Sequence, residues 1–247
     1  MDKSEPGRRR FLKLCAATGA LVAARPELLG RQARASTPLP ASRLVDRSGN
    51  PLDPDSLDVG ESYVFHYPFV TTPCFLINLG KPVGPVDGLE TEDGQRYRWP
   101  GGAGPRRSVV AFSAICAHKM SYPTKTVSFI NYRHNAVNFV DDGKKPAQRE
   151  HVIYCCSEKS VYDPGDGARV LGGPAPQPLA AVDLKFDESA NCLTAAGTYG
   201  GDMFQKFFET YAFQLAMQHR ISDVKAPVGE TTVVYPSGEY SENLQVC

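Results

Sequence analysis

The chain has 247 residues, of which 42% are hydrophobic and 22% charged, and its 27 basic residues balance 27 acidic ones. This composition excludes a disordered, collagen-like or coiled-coil chain, and the zero net charge gives no indication of nucleic-acid binding. No apolar run approaches the ~18–20 residues that span a bilayer. The seven cysteines are too few, and odd in number, for a disulfide-stabilised scaffold.

The basic residues are concentrated at the start of the chain. Residues 1–35 contain eight of them and three acidic residues, and Arg8, Arg9 and Arg10 precede a short alanine-rich stretch. This pattern resembles a twin-arginine export signal cleaved before Ser36, and the alternative is a basic amphipathic helix on a cytosolic protein. Without the signal the chain has 19 basic and 24 acidic residues, a net charge of −5. We therefore expect a mildly acidic periplasmic protein, which an uncut leader would anchor to the membrane.

After the leader, residues 36–61 are polar and contain prolines, which predicts a linker. Short aromatic and β-branched runs bounded by proline and glycine then follow one another along the chain. They lie at residues 63–67, 74–79, 108–113, 151–154 and 179–184. Runs this short and this often interrupted predict a mainly β fold, an antiparallel sandwich or small barrel.

One helix is predicted near the C-terminus, over residues 202–219. Its aromatic and aliphatic residues largely recur at three- and four-residue spacing, and Asp202 is a suitable N-cap. The apolar stripe predicts a helix packed on the barrel, and the alternative is a docking face for a partner subunit. Residues 199–247 are therefore assigned to a C-terminal helix and tail.

The residues that indicate chemistry lie in two loops, at 114–123 and 154–164. The first contains Cys116-Ala117-His118, and the second contains Cys155-Cys156 followed by Ser160-Val161-Tyr162-Asp163-Pro164. A glycine- and proline-rich stretch follows at residues 172–179. In this order the motifs resemble the Rieske [2Fe–2S] protein family over about residues 63–197. Within that family they most resemble the small subunits of arsenite oxidases.

The resemblance implies a fold and a set of site residues. Residues 62–198 would form a Rieske-type antiparallel β-sandwich or barrel with an inserted cluster-binding subdomain. Two cysteines hold one iron of such a cluster and two histidines hold the other. The matching positions are Cys116, Cys155 and His118. The hydroxyls of Ser160 and Tyr162 match those that donate hydrogen bonds to the cluster sulfurs.

One ligand position departs from the family pattern. The residue three after Cys155, where the family has its second histidine, is Glu158. A carboxylate is an acceptable hard ligand for ferric iron, so we favour Glu158 as the fourth ligand. The alternatives are Cys156, a histidine from between the loops (His134 or His151), and loss of the cluster.

Two further departures concern the loops. The cysteines that join the two loops in many family members are replaced by Ser121 and Ser157, so both partners of that disulfide are absent. In addition, 36 residues separate His118 from Cys155, which predicts a hairpin extension that is either a mere loop or a surface for a partner.

The cysteines outside the loops are interpreted as structural. Cys74 and Cys192 lie in apolar runs and are expected to be small core residues. We expect the terminal Cys247 to be exposed and free, or to pair with another molecule.

By resemblance, the chain is an exported one-electron carrier and an oxidoreductase subunit rather than a stand-alone catalyst. The implied partners are a larger catalytic subunit, such as a molybdenum oxidoreductase, and a c-type cytochrome. One alternative is a cluster-free Rieske-fold structural or binding subunit. Another is the iron–sulfur subunit of a quinol-oxidising cytochrome bc-type complex. The missing second histidine argues against the latter, because a ligand histidine hydrogen-bonds the quinol there.

Overall fold

Strands account for most of the regular structure in residues 36–201 and 203–247, which are the residues that the computed structural model describes. Numbered along the chain, the strands are β1 (Thr37–Val45), β2 (Ser62–His66), β3 (Pro73–Asn78), β4 (Val86–Glu90), β5 (Arg96–Trp99), β6 (Val109–Ser113), β7 (Ile130–Arg133), β8 (Val137–Val140), β9 (Pro146–Arg149), β10 (Val152–Cys155), β11 (Ser160–Asp163), β12 (Arg169–Gly172), β13 (Ala181–Asp187), β14 (Cys192–Tyr199), β15 (Thr231–Val233) and β16 (Tyr235–Pro236). The helices are α1 (Met203–His219) and α2 (Ser237–Tyr240), with 3-10 turns at Pro54–Ser56 and Pro164–Asp166. The mainly β fold is confirmed.

The largest sheet has eight strands in the order β15-β1-β14-β13-β6-β3-β2-β16. Among its pairs, β1 and β15 run parallel and the others run antiparallel. Every residue of the central strands β3 and β6 is buried, because each face of the sheet is covered by a separate apolar core. Side chains alternate between the two cores: Phe75 and Ile77 enter one, and Cys74 and Leu76 the other.

The cysteines predicted to be structural are found in the core of this sheet. Cys74 is completely buried, and Cys192 is also buried at the start of β14. Both are free thiols, which confirms their prediction as small core residues.

A second sheet is inserted between β6 and β13, which are neighbours in the large sheet. It has four strands in the order β12-β11-β10-β7. The segment between β7 and β10 forms a separate antiparallel hairpin of β8 and β9, so the hairpin extension predicted between the two loops is confirmed. The inserted sheet shares one apolar core with the large sheet and α1, which fixes the loops at their junction.

Helix α1 packs against the core through one face. Phe204, Phe207, Phe208 and Leu215 are buried on it, which confirms the packed helix. The stripe is shorter than the sequence predicts, because Met217 is 67% exposed. The expected N-cap at position 202 lies outside the described residues. No helix within the described part of the chain combines the length and apolar character needed to cross a membrane.

Residues 36–61, which the sequence predicts to be a linker, instead contribute β1 to the large sheet. Leu44 is completely buried there, and Arg43 pairs with both Thr194 of β14 and Thr231 of β15. The prolines are tolerated because the register with β14 is interrupted between Pro38 and Ser42. The predicted leader, residues 1–35, lies outside the described residues.

Candidate functional site

Two loops place the predicted site residues at the junction of the sheets. The first leaves β6 and carries Cys116 and His118. The second is the turn that joins β10 to β11, in which Cys155 and Ser160 lie directly opposite each other across the ladder. Residues 156–159 between them, here called the site turn, are closed by a hydrogen bond from the Lys159 N–H to the Cys155 carbonyl oxygen, 2.7 Å long.

The third side of the site is the glycine- and proline-rich segment after β12. Gly173 has a φ of +88°, and a Cβ atom at this position would overlap the carbonyl oxygen of Lys159 in the site turn. Only glycine therefore allows the segment to approach the turn this closely. Ala175, two residues further on, packs against the same core as Cys116 and Cys155.

The two thiols meet at the bottom of the site. Cys116 and Cys155 are both completely buried, and their side chains hydrogen-bond to each other. This hydrogen bond lowers the pKa of the Cys116 thiol and raises the pKa of Cys155, whose burial raises it further. The pair therefore favours the state with one thiolate, which is the form of cysteine that binds metal.

The hydroxyl of Tyr162 connects the first loop to the inserted sheet. It accepts a hydrogen bond of 3.1 Å from the Ala117 N–H, and its oxygen lies 3.3 Å from the sulfur of Cys116. Because one lone pair is occupied by the N–H, the hydroxyl hydrogen is free to point at this sulfur. The side chain of Ser160 is also buried, and within the described residues its Oγ has no hydrogen-bond partner.

The other predicted pair lies at the edge of the site. Nδ1 of His118 and Oε2 of Glu158 are 3.7 Å apart, and the two side chains are 29% and 27% exposed. With metal–ligand distances of about 2.0–2.2 Å, two ligands of one tetrahedral ion are about 3.4 Å apart. Nδ1 of His118 is buried without a hydrogen-bond partner among the described residues. The separation of this pair is thus close to what one tetrahedral iron requires.

The alternative fourth ligands are placed elsewhere. His134 and His151 contact each other, with ring centroids 4.6 Å apart, beyond the other end of the β7–β10 ladder. His151 precedes Cys155 by four residues of extended chain, a span of about 13 Å. Cys156 is unavailable to a metal because it forms a disulfide bond with Cys247. Glu158 is therefore the alternative that lies beside His118.

The disulfide also corrects the prediction for the terminal cysteine. Cys247 is neither free nor available to another molecule, since it pairs within the chain with Cys156, 91 residues away. No spacing pattern in the sequence indicates this bond. Sequence reasoning also missed Lys119, whose Nζ lies 3.3 Å from Oε1 of Glu158.

The predicted ligands form two separate pairs in the structure. Within the described residues, no three His, Cys, Asp or Glu side chains form a group suited to holding one ion. The site residues form two pairs instead, Cys116 with Cys155 and His118 with Glu158. A Rieske [2Fe–2S] cluster needs two ligands on each of its two irons. The unpartnered Nδ1 of His118 and Oγ of Ser160 are consistent with an additional group in the site.

No protein-family model matches the chain. The chain is similar in structure to the soluble domain of Rieske protein II from Sulfolobus acidocaldarius, with a TM-score of 0.44 and 25% sequence identity. The similarity covers 65% of this chain and 78% of that domain.

Proposed function

We propose that this chain is a Rieske-type iron–sulfur protein that transfers single electrons. The observation that carries the proposal is the convergence of the two loops, which brings a buried cysteine pair and a separate histidine–carboxylate pair to one junction. When bound, a [2Fe–2S] cluster accepts and releases one electron.

In this proposal the side chains of the chain have separate tasks. Cys116 and Cys155 would hold one iron of the cluster, and His118 and Glu158 would hold the other. The Tyr162 hydroxyl, 3.3 Å from the Cys116 sulfur, supplies a hydrogen bond that favours negative charge there. The buried cysteines and the partly exposed second pair give the site one edge open to a partner.

Glu158 changes the charge of the site relative to a site with two histidines. A carboxylate in place of a neutral imidazole adds one negative charge, which disfavours reduction. The ammonium group of Lys119, 3.3 Å from the Glu158 carboxylate, offsets part of this charge. The site also lacks the second imidazole N–H that a quinol would hydrogen-bond, which supports a protein partner over a quinol.

The proposed setting is the periplasm, as one subunit of a larger oxidoreductase. The twin-arginine pattern in residues 1–35 supports export. The resemblance of the loop motifs to arsenite oxidase small subunits supports a larger, molybdenum-containing catalytic subunit as electron donor and a c-type cytochrome as acceptor. The chain itself would then catalyse no reaction of its own.

A specific observation favours a second candidate, a cluster-free binding subunit of the same fold. Cys116 and Cys155 interact directly with each other within the apolar core that the two sheets share. In that case the two loops would act as a packed structural junction.

Metal analysis separates the two candidates. The full-length protein, matured in the cytoplasm, is expected to contain two irons and two acid-labile sulfides per chain and to be coloured. Glu158→His should keep the iron and raise the reduction potential, because it removes one negative charge. The matched control is Glu188→His, an exposed glutamate in the turn between β13 and β14, which should leave the potential unchanged. A folded, colourless, iron-free protein would establish the cluster-free subunit.

A further inference from the structure

The C-terminal residues 241–247, here called the C-terminal brace, lie along the chain segment that leads into β7. The Gln245 N–H donates to the carbonyl oxygen of Ser128, and the Ser128 N–H donates to that of Asn243, both at 2.9 Å. The two segments run parallel. These hydrogen bonds hold the brace against the segment before β7.

A disulfide bond joins the end of the brace to the site turn. Cys247 is bonded to Cys156, and their Cα atoms are 5.7 Å apart. Cys156 is the residue directly after the proposed ligand Cys155. The N–H of Cys156 donates a hydrogen bond to the carbonyl oxygen of Phe129, 2.7 Å away. The disulfide bond therefore lies beside the same segment, around Ser128, that pairs with the brace. The brace therefore holds the site turn both covalently and through this shared segment.

The site turn needs such support. Ser157 and Lys159 are exposed, so two of the four side chains of the turn lie in solvent. Lys159 has a φ of +59°, in the left-handed region that residues other than glycine disfavour. The turn is thus not favoured by its own sequence, yet it determines where Glu158 lies.

We propose that the C-terminal brace positions Cys155 and Glu158, and that it closes by oxidation of Cys156 and Cys247 after the site has been assembled. That Cys155 and Glu158 are cluster ligands rests on the proposed function, whereas the existence of the brace does not. Closure converts two thiols into one disulfide, with loss of two protons and two electrons. The disulfide of a thiol-exchange partner accepts them and becomes two thiols.

Compartment and exposure determine when closure occurs. Cytosolic thiols are kept reduced, whereas the periplasm supplies disulfide donors. A chain assembled in the cytoplasm would therefore have an open brace, which closes on export. Cys247 is exposed and Cys156 partly exposed, whereas Cys116 and Cys155 are completely buried. A disulfide donor can therefore reach the brace without reaching the proposed ligands.

Hydrogen exchange on the full chain without iron tests the brace itself. In the double variant Cys156→Ser/Cys247→Ser, the amides of Gln245 and Lys159 should exchange at least about tenfold faster, because local opening becomes easier. Amides of β3, which exchange through unfolding of the whole fold, should accelerate only in step with the lower free energy of unfolding that denaturation of the same variant gives. Val246→Ser, which alters the brace but keeps the disulfide, is the matched control. Unchanged exchange at both sites would overturn the proposal, and so would equal acceleration throughout the chain.

Iron release to a chelator tests what the brace positions. The loaded double variant should lose iron at least about tenfold faster than the wild type. Wild-type protein treated with dithiothreitol should behave like the variant, and reoxidation with glutathione disulfide should restore slow release. Equal release rates would show that the brace does not position the ligands. If the wild type binds no iron, the proposed function fails, and hydrogen exchange alone still decides whether the brace exists.

Discussion

Nδ1 of His118 lies 3.7 Å from Oε2 of Glu158, although the two residues come from different loops and are 40 positions apart in the sequence. This separation suits two ligands of one tetrahedral metal ion. The carboxylate thus occupies the place in which the sequence motif leads one to expect a second imidazole. Lys119, directly after His118, contacts the other oxygen of the same carboxylate.

The charge of Lys119 should influence the reduction potential. Lys119→Gln removes a positive charge 3.3 Å from Glu158. Without this charge the reduced state of the site, which is the more negative one, is less stable relative to the oxidised state. The potential should fall by an amount on the order of tens of millivolts, since Lys119 is 64% exposed and solvent screens it. A potentiometric titration measures this shift, and Lys119→Arg should retain the wild-type value. An unchanged potential in Lys119→Gln would show that the ion pair does not affect the site.

Loss of the Tyr162 hydroxyl should lower both potential and stability. Tyr162→Phe removes the group that contacts the Cys116 sulfur and leaves the buried Ala117 N–H without its acceptor. An unsatisfied buried donor costs about 1–3 kcal/mol, which urea denaturation would measure as a lower free energy of unfolding. Tyr154→Phe, on the neighbouring strand β10, is the control. Equal stability of the two variants would contradict the assigned hydrogen bond.

The stability of the fold should depend on pH through His66. Burial and, to a smaller extent, the nearby His219 lower the pKa of His66 to about 4. The two ring nitrogens of His66 hydrogen-bond to the carbonyl oxygen of Val70 and to the hydroxyl of Tyr240. Between pH 6.5 and 4 the unfolded chain therefore binds a proton that the folded chain does not. The free energy of unfolding should fall by about 3 kcal/mol as the pH drops through this window.

His66→Gln tests this assignment by denaturation at a series of pH values. The variant should lose less stability than the wild type between pH 6.5 and pH 4, because the group that titrates in the unfolded state is gone. His134→Gln, at an exposed position, should keep the wild-type pH dependence. The same slope in His66→Gln and wild type would refute the assignment.

The disulfide should also stabilise the whole fold. Cys247→Ser opens a loop of 91 residues, and losses of about 2–4 kcal/mol in the free energy of unfolding are typical of such bonds. Denaturation with and without reductant measures the effect. Reductant should destabilise the wild type to the level of the variant and leave the variant unchanged, and a response of both proteins would point to a different target.

The sequence predicted those features that depend on local pattern. Short aromatic and β-branched runs form strands, and the segment between the loops contains a hairpin. Cys74 is buried because alternate side chains of β3, Cys74 and Leu76, enter the same apolar core. The motif residues Cys116 and Cys155 meet in the apolar core that the two sheets share.

What the sequence missed depends on contacts between distant residues. The prolines near Pro38 concealed β1, which the interrupted register with β14 accommodates. The bond between Cys156 and Cys247 joins positions with no common motif. The choice among alternative ligands required the register of β7 and β10, which places His151 far from Cys155.

Pulsed EPR of the reduced, iron-loaded protein tests the central claim most directly, because it counts the nitrogen atoms coordinated to the cluster. With His118 and Glu158 as the second ligand pair, the spectrum should show one strongly coupled histidine nitrogen, and His118→Ala should remove it. Two coupled nitrogens in the wild type would contradict Glu158 as a ligand. The absence of any signal in a folded protein would contradict the cluster itself.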